Sequence, residues 1–197
     1  KQTLDFKTGT LTDSFRVQVD DNVLHYVDIT TVKVIDPVNW HCLGLTLALK
    51  TSYEFNLTLK AEIDGQVLNQ NVARYRQFDS QEFDVTATKP GLMLLSTKTT
   101  AVDIAIAAQS SLDVAAHKEV VVEATKLSDH YQLQLAPQQT VNLSRVMAVA
   151  TSLETPGNLA TFTTETIEKQ TCKKMQMSSQ NYWQQFWHEK DVHIVGD

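Results

Sequence analysis

The sequence predicts a mainly β protein: an antiparallel super-sandwich followed by one or two α-helices. Three observations predict it. Phe55, Leu57, Leu59, Ala61 and Ile63 alternate strictly with Glu54, Asn56, Thr58, Lys60, Glu62 and Asp64, which marks a strand with one buried and one wet face. No stretch of ten or more residues before about residue 150 keeps a 3.6-residue apolar period, while polar turns recur throughout. At Thr155-Pro156-Gly157 the pattern changes, and Leu159, Phe162 and Ile167 then recur at roughly helical spacing.

The elements follow in order. Residues 3–6 and 10–19 read as strands around a Lys7-Thr8-Gly9 turn, and Asp20-Asp21-Asn22 makes the next turn. The β-branched run from Val23 to Ile35 switches apolar phase, from Val27 and Ile29 to Val32 and Val34. A side-chain period of two cannot change face without an extra residue, so a bulge is expected near Thr30-Thr31. Leu45, Leu47 and Leu49 give a further strand. The strand ending at Ile63 runs into Asp64-Gly65, a dipeptide suited to a tight turn with positive φ. Alternating residues around Val85, Leu92–Leu95, Ile104, Val122, Leu133 and Val141–Ala150 complete about ten strands. Thr155 is the expected N-cap of the first helix, with Pro156 at its first position.

The whole sequence bounds its function classes. Its 197 residues carry a net charge of −6, and its 17 Lys and Arg are scattered. That argues against nucleic acid and anionic membrane surfaces as partners. No apolar run approaches the roughly 18 residues of a membrane span. Lys1 opens the chain without a signal-peptide pattern, and the two cysteines, Cys42 and Cys172, suggest neither a disulfide framework nor a metal site. The sequons Asn56-Leu57-Thr58 and Asn142-Leu143-Ser144 fall in strand-like stretches, and in a Thr-rich chain chance matches are expected.

No catalytic motif is present, so no catalytic residue is assigned. Of His25, His41, His117, His130, His188 and His193, only the last two are close in sequence, at a poor metal spacing, so no metal ligand is assigned either. The acid pairs Asp20/Asp21 and Glu62/Asp64 read as solubilising turn and wet-face residues rather than a glycosidase pair. Trp40, Tyr53, Tyr75 and Tyr131 could stack on sugar rings, although packing explains each. Tyr75 is the candidate substrate-binding residue, because Arg74 and Arg76 flank it. The polar stretch holding it, Gln66 to Gln81, is expected to reach toward another domain or subunit.

The final stretch is the most aromatic. Trp183 and Trp187 share one line of a helix, and Tyr182 and Phe186 share another about 100° around the axis. Two stripes predict two packing surfaces, the sandwich and a further domain. An alternating tail, Asp191 to Val195, follows. A helix this aromatic beside the last residue is expected to lead onward, since termini fray.

These residues carry a resemblance. Leu4-Asp5-Phe6-Lys7-Thr8-Gly9 with Leu11-Thr12 resembles the LDxxxGxLT segment of glycoside hydrolase family 65, the maltose, trehalose and kojibiose phosphorylase family. Asp64-Gly65-Gln66-Val67-Leu68-Asn69 resembles its SxLDGxVxN turn, with Glu62 where Ser is more usual. Trp183, Trp187, Asp191, Ile194, Gly196 and Asp197 resemble the passage that joins its sandwich to its catalytic barrel.

The resemblance implies a sandwich over residues 1–152, lacking its earliest strands, and a helical linker over 153–197 leading toward an (α/α)6 barrel. It implies inverting cleavage of an α-glucosidic bond by residues of the barrel, with inorganic phosphate as co-substrate in a phosphorylase or water in a hydrolase. The implied partners are that barrel and, through the whole enzyme, a carbohydrate substrate. A homodimer and a cytoplasmic location are compatible with it, and no organic cofactor is implied. The alternatives are a stand-alone carbohydrate-binding module and an adhesive β-domain.

Overall fold

The computed structural model describes residues 1–66, 83–155 and 157–190. Among them run strands β1 (Gln2–Asp5), β2 (Thr10–Gln18), β3 (Tyr26–Ile35), β4 (Cys42–Thr51), β5 (Phe55–Asp64), β6 (Phe83–Lys89), β7 (Leu92–Thr97), β8 (Asp103–Leu112), β9 (His117–Val122), β10 (Lys126–Leu135) and β11 (Thr140–Thr151). Helices α1 (Leu159–Glu168) and α2 (Cys172–Lys190) close the order. Eight strands form one sheet, β1-β2-β3-β4-β11-β8-β7-β6, and three form another, β5-β10-β9. All pairings among the described strands are antiparallel.

The large sheet is the middle of three layers. Its odd-numbered β11 position Leu143 packs with Leu47, Leu59, Ala61 and Tyr131, filling the space toward the small sheet. Phe55, Leu57 and Leu59 of β5 face that same space, as their alternation predicts. The even-numbered Val146 and Ala148 of β11 pack with Ile167, Cys172 and Met175 of the helices on the opposite face. That helix-side face is built from small residues. Ala105, Ala107 and Ala148 are wholly buried, and a Cβ at Gly44 would lie 2.9 Å from Met175 Cε. The helices therefore seat close to the backbone.

Three local expectations are corrected. No bulge interrupts β3, which pairs in continuous register with β2 and β4. The register shift among these strands lies instead in β6, between Val85 and Ala87. The phase switch in β3 reflects its surroundings. Val34 packs on the helix side, whereas Val27 and Ile29 pair with Thr51 and Leu49 on the small-sheet side. A strand covered on different faces at its two ends needs apolar residues in both phases.

The second correction concerns the cap of α1. Asn158 supplies it, its Oδ1 accepting from Thr161 N at 3.1 Å, while Thr155 is buried and Pro156 lies outside the described residues. Asn serves this position as well as Thr does. The third concerns Gly65, which has no positive φ. Its lack of a side chain is needed because a Cβ there would strike Val85 Cγ2. Of the one or two helices expected, there are two: they break at residues 169–171, and α2 is continuous.

Candidate functional site

The first hairpin and the last helix meet. Between β1 and β2 the chain turns at Gly9, whose φ of +63° suits glycine. Gly9 N donates to Asp5 O at 2.8 Å, and Asp5 Oδ1 accepts from Lys7 N at 2.9 Å. The Lys7 amide, helped by the Thr8 hydroxyl, holds the Asp5 carboxyl below its usual range.

Helix α2 crosses this turn. Cys172, Met175 and Ser179 form its buried line. Ser179 Oγ donates to Thr8 O at 2.8 Å, and Trp187 Nε1 donates to Phe6 O at 2.7 Å. The Trp183 indole lies where a Cβ on Gly9 would be, so glycine is required there for contact as well as conformation.

Beside this contact opens a groove of about 660 Å³, walled by Leu4, Phe6, Leu11, Ile35, Leu43 and Trp183. Its rim is apolar and open, with Phe6 64% and Ile35 62% exposed. A recess of about 240 Å³ adjoins it through Ile35 and Leu43, and reaches Trp40, Val149 and Glu154. Trp40 is 56% exposed and stacks on His41 with ring centroids 3.8 Å apart. His41 is fixed in turn by its Nδ1, which donates to Val149 O at 2.8 Å, and by an edge contact to Phe162. Val38 and Leu153 are also exposed nearby in sequence. A continuous apolar surface of this kind usually receives another protein surface.

The four helix aromatics form one cluster rather than two separate stripes. Phe186 meets both Trp183 and Trp187 edge-on, at 5.5 and 5.1 Å between centroids. Trp183, Phe186 and Trp187 are half-buried, and Tyr182 is exposed. The tail Asp191 to Val195, and the motif residues up to Asp197, lie outside the described residues.

Tyr75, Arg74 and Arg76, with nearly all of the stretch around them, also lie outside the described residues. Tyr131 is buried, its hydroxyl donating to Ser110 O at 2.9 Å. Tyr53 stacks between His25 and Phe55. Asp20 pairs with His25 at 2.8 Å, and Lys126 sits between Glu62 and Asp64. Cys42 and Cys172 are buried free thiols, and burial pushes Cys42 up to about 11, which leaves it unreactive at neutral pH. Among the described residues, no group of three His, Cys, Asp or Glu could hold a metal ion, and no helix is long and apolar enough to cross a membrane.

Sequence reasoning missed the groove, because it needs the hairpin and the helix at once. The available signal was the pairing of Gly9 with Trp183, each already part of a separate motif.

Together these features define a class: a helix-capped antiparallel β-sandwich with an open apolar surface beside its last helix. The chain belongs to glycosyl hydrolase family 65, N-terminal domain, whose model it matches over residues 1–186. It is 32% identical over 196 residues to the trehalose 6-phosphate phosphorylase of Lactococcus lactis subsp. lactis (strain IL1403), covering 99% of this chain and 25% of that protein. A solved structure assigned as a kojibiose phosphorylase from the human microbiome superposes with a TM-score of 0.78 at 10% identity, over 94% of this chain and 24% of that one. That likeness shows the fold. The chain spans about a quarter of the length of these relatives.

Proposed function

We propose that this chain is the non-catalytic N-terminal domain of a cytoplasmic disaccharide phosphorylase, and that its apolar groove seats against the catalytic part of that enzyme. Residues 1–152 form the sandwich in this reading, and 153–197 form the linker toward an (α/α)6 barrel. The carrying observation is that two family motifs far apart in sequence touch, Gly9 against Trp183, beside an exposed apolar groove.

The parent reaction is inverting attack of inorganic phosphate on an α-glucosidic bond, which gives a β-configured glucose 1-phosphate. Trehalose 6-phosphate, the compound in the relative's name, is the first substrate to test, followed by trehalose, maltose and kojibiose. Tyr75, between Arg74 and Arg76, is assigned to contact with the barrel or a second subunit of a homodimer.

The test compares the 197-residue chain with the protein of its whole reading frame. Phosphate-dependent release of β-glucose 1-phosphate is expected from the whole protein alone. Release by the isolated chain, or by neither on any of the four sugars, overturns the reading.

A further inference from the structure

Trp40 is held in place without being covered. It stands in the loop between β3 and β4, which closes through Asp36 N donating to Cys42 O at 3.0 Å and Cys42 N donating to Asn39 O at 2.8 Å. Asp36 is buried. Its Oδ1 accepts from Val38 N at 3.0 Å and from Ser178 Oγ of α2 at 2.7 Å, which ties the loop to the helix layer. One face of the indole lies on the His41 ring, itself fixed by Val149 O and Phe162. A ring stacked on one face and still 56% exposed has its other face open.

This indole borders the recess of about 240 Å³, together with Ile35, Leu43, Val149 and Glu154. The turn after β11 brings Glu154 there, its N donating to Thr151 O at 3.3 Å, and its side chain is exposed. The recess thus combines an aromatic face, apolar walls and one carboxylate. A wholly apolar partner would strip water from that carboxylate and give nothing in return. A small cation would suit the indole and the carboxylate, but the apolar walls would desolvate its charge. A pyranose suits all three. Its ring C–H groups carry slight positive charge and settle on the negative face of an indole. Its carbon skeleton lies against Ile35 and Leu43, and a hydroxyl donates to Glu154 in a charge-assisted hydrogen bond. The space is smaller than the roughly 300–1,000 Å³ of pockets for drug-sized ligands, so it holds one ring. Because the indole is already fixed, little side-chain freedom is lost on binding.

We propose that the Trp40 recess binds one neutral pyranose unit with equatorial hydroxyls and an uninterrupted C–H face, as in a glucopyranoside. The site is complete within this chain and does not depend on a phosphorylase reaction.

Fluorotryptophan labelling tests it, since the chain has 3 tryptophans and each gives one fluorine resonance. The Trp40 resonance is the one missing from Trp40→Phe. Methyl α-glucopyranoside should shift it saturably, with a dissociation constant on the order of 1–10 mM, ordinary for a ligand of one ring. The Trp183 and Trp187 resonances should stay in place. Glu154→Ala should weaken binding about three- to tenfold. Trp40→Ala, folded by circular dichroism, should lose saturation transfer to the glucoside. Sorbitol has similar hydroxyls but no ring face, and should leave the Trp40 resonance unmoved. No saturable shift by about 50 mM, well above that range, overturns the proposal. So does an equal response to sorbitol, or one unchanged by Glu154→Ala. A shift with tetramethylammonium but not with the glucoside makes the recess a cation site and overturns it too.

Discussion

Strand β11 and the β1–β2 hairpin belong to one sheet but live under opposite conditions. β11 is covered on both faces, by the small sheet through Leu143 and by the helices through Val146 and Ala148. The hairpin is held by α2 at its turn and leaves Leu4, Phe6, Phe15 and Val17 exposed. Double coverage concentrates stability in the middle of the sheet. Single coverage at the edge leaves apolar surface for something else. A substitution should therefore change folding in the first region and association in the second.

The largest expected effect is in the middle. Met175 is wholly buried and touches the space over Gly44. Met175→Ala should cost about 2–5 kcal/mol, read as a lower urea midpoint with an unchanged slope. A cost under about 1 kcal/mol would mean that the helix layer is only loosely packed, and the contrast would collapse.

Gly9→Ala should be intermediate, about 1–3 kcal/mol, from a strained positive φ and a displaced Trp183 indole. Tryptophan fluorescence should shift with it, because the substitution acts on the indole environment. If the loss of stability appears without a spectral change, the hairpin and α2 do not meet as described.

A third substitution separates folding from association. Ile35→Lys places charge on an exposed groove rim, and its effect on unfolding should stay within about 0.5 kcal/mol. The chain alone should self-associate through this surface, and the variant should be closer to monomer by light scattering. A monomeric parent chain at tens of micromolar, on the order typical of weak association, removes the docking argument for the groove.

The sequence carried the regular part of this fold because the physics there is local. β5 alternates between a wet and a dry side, so Phe55 to Ile63 could be placed by period alone. β3 carries two apolar phases because its ends lie under different layers, and a local reading turned that into a bulge. The groove brings Phe6 and Trp183 together, beside a hydrogen bond between Trp187 and Phe6 that spans 181 positions of the chain, and no window spans that. Arg145 did leave a sign. It occupies the apolar phase between Leu143 and Met147, where a charge is out of place. That it lies almost wholly buried, with Asp129 as the carboxylate facing it, is visible only once β8 and β10 are assembled around it.

The smallest effect should come from Asp5, at the exposed start of the hairpin turn. Its carboxyl is held below the usual range, chiefly by the Lys7 amide and then by the Thr8 hydroxyl. A depressed folded value means that the carboxylate form stabilises the turn above the ordinary carboxyl pKa, near 4. That contribution is lost as pH falls through the folded value. Asp5→Asn keeps an acceptor oxygen but removes the charge, so it resembles the protonated acid. The variant should unfold slightly earlier than the parent at pH 6, and the difference should shrink as pH falls below 4. Matched thermal scans down the acid range measure this. A difference that does not change with pH means that the Asp5 charge is not what secures the turn.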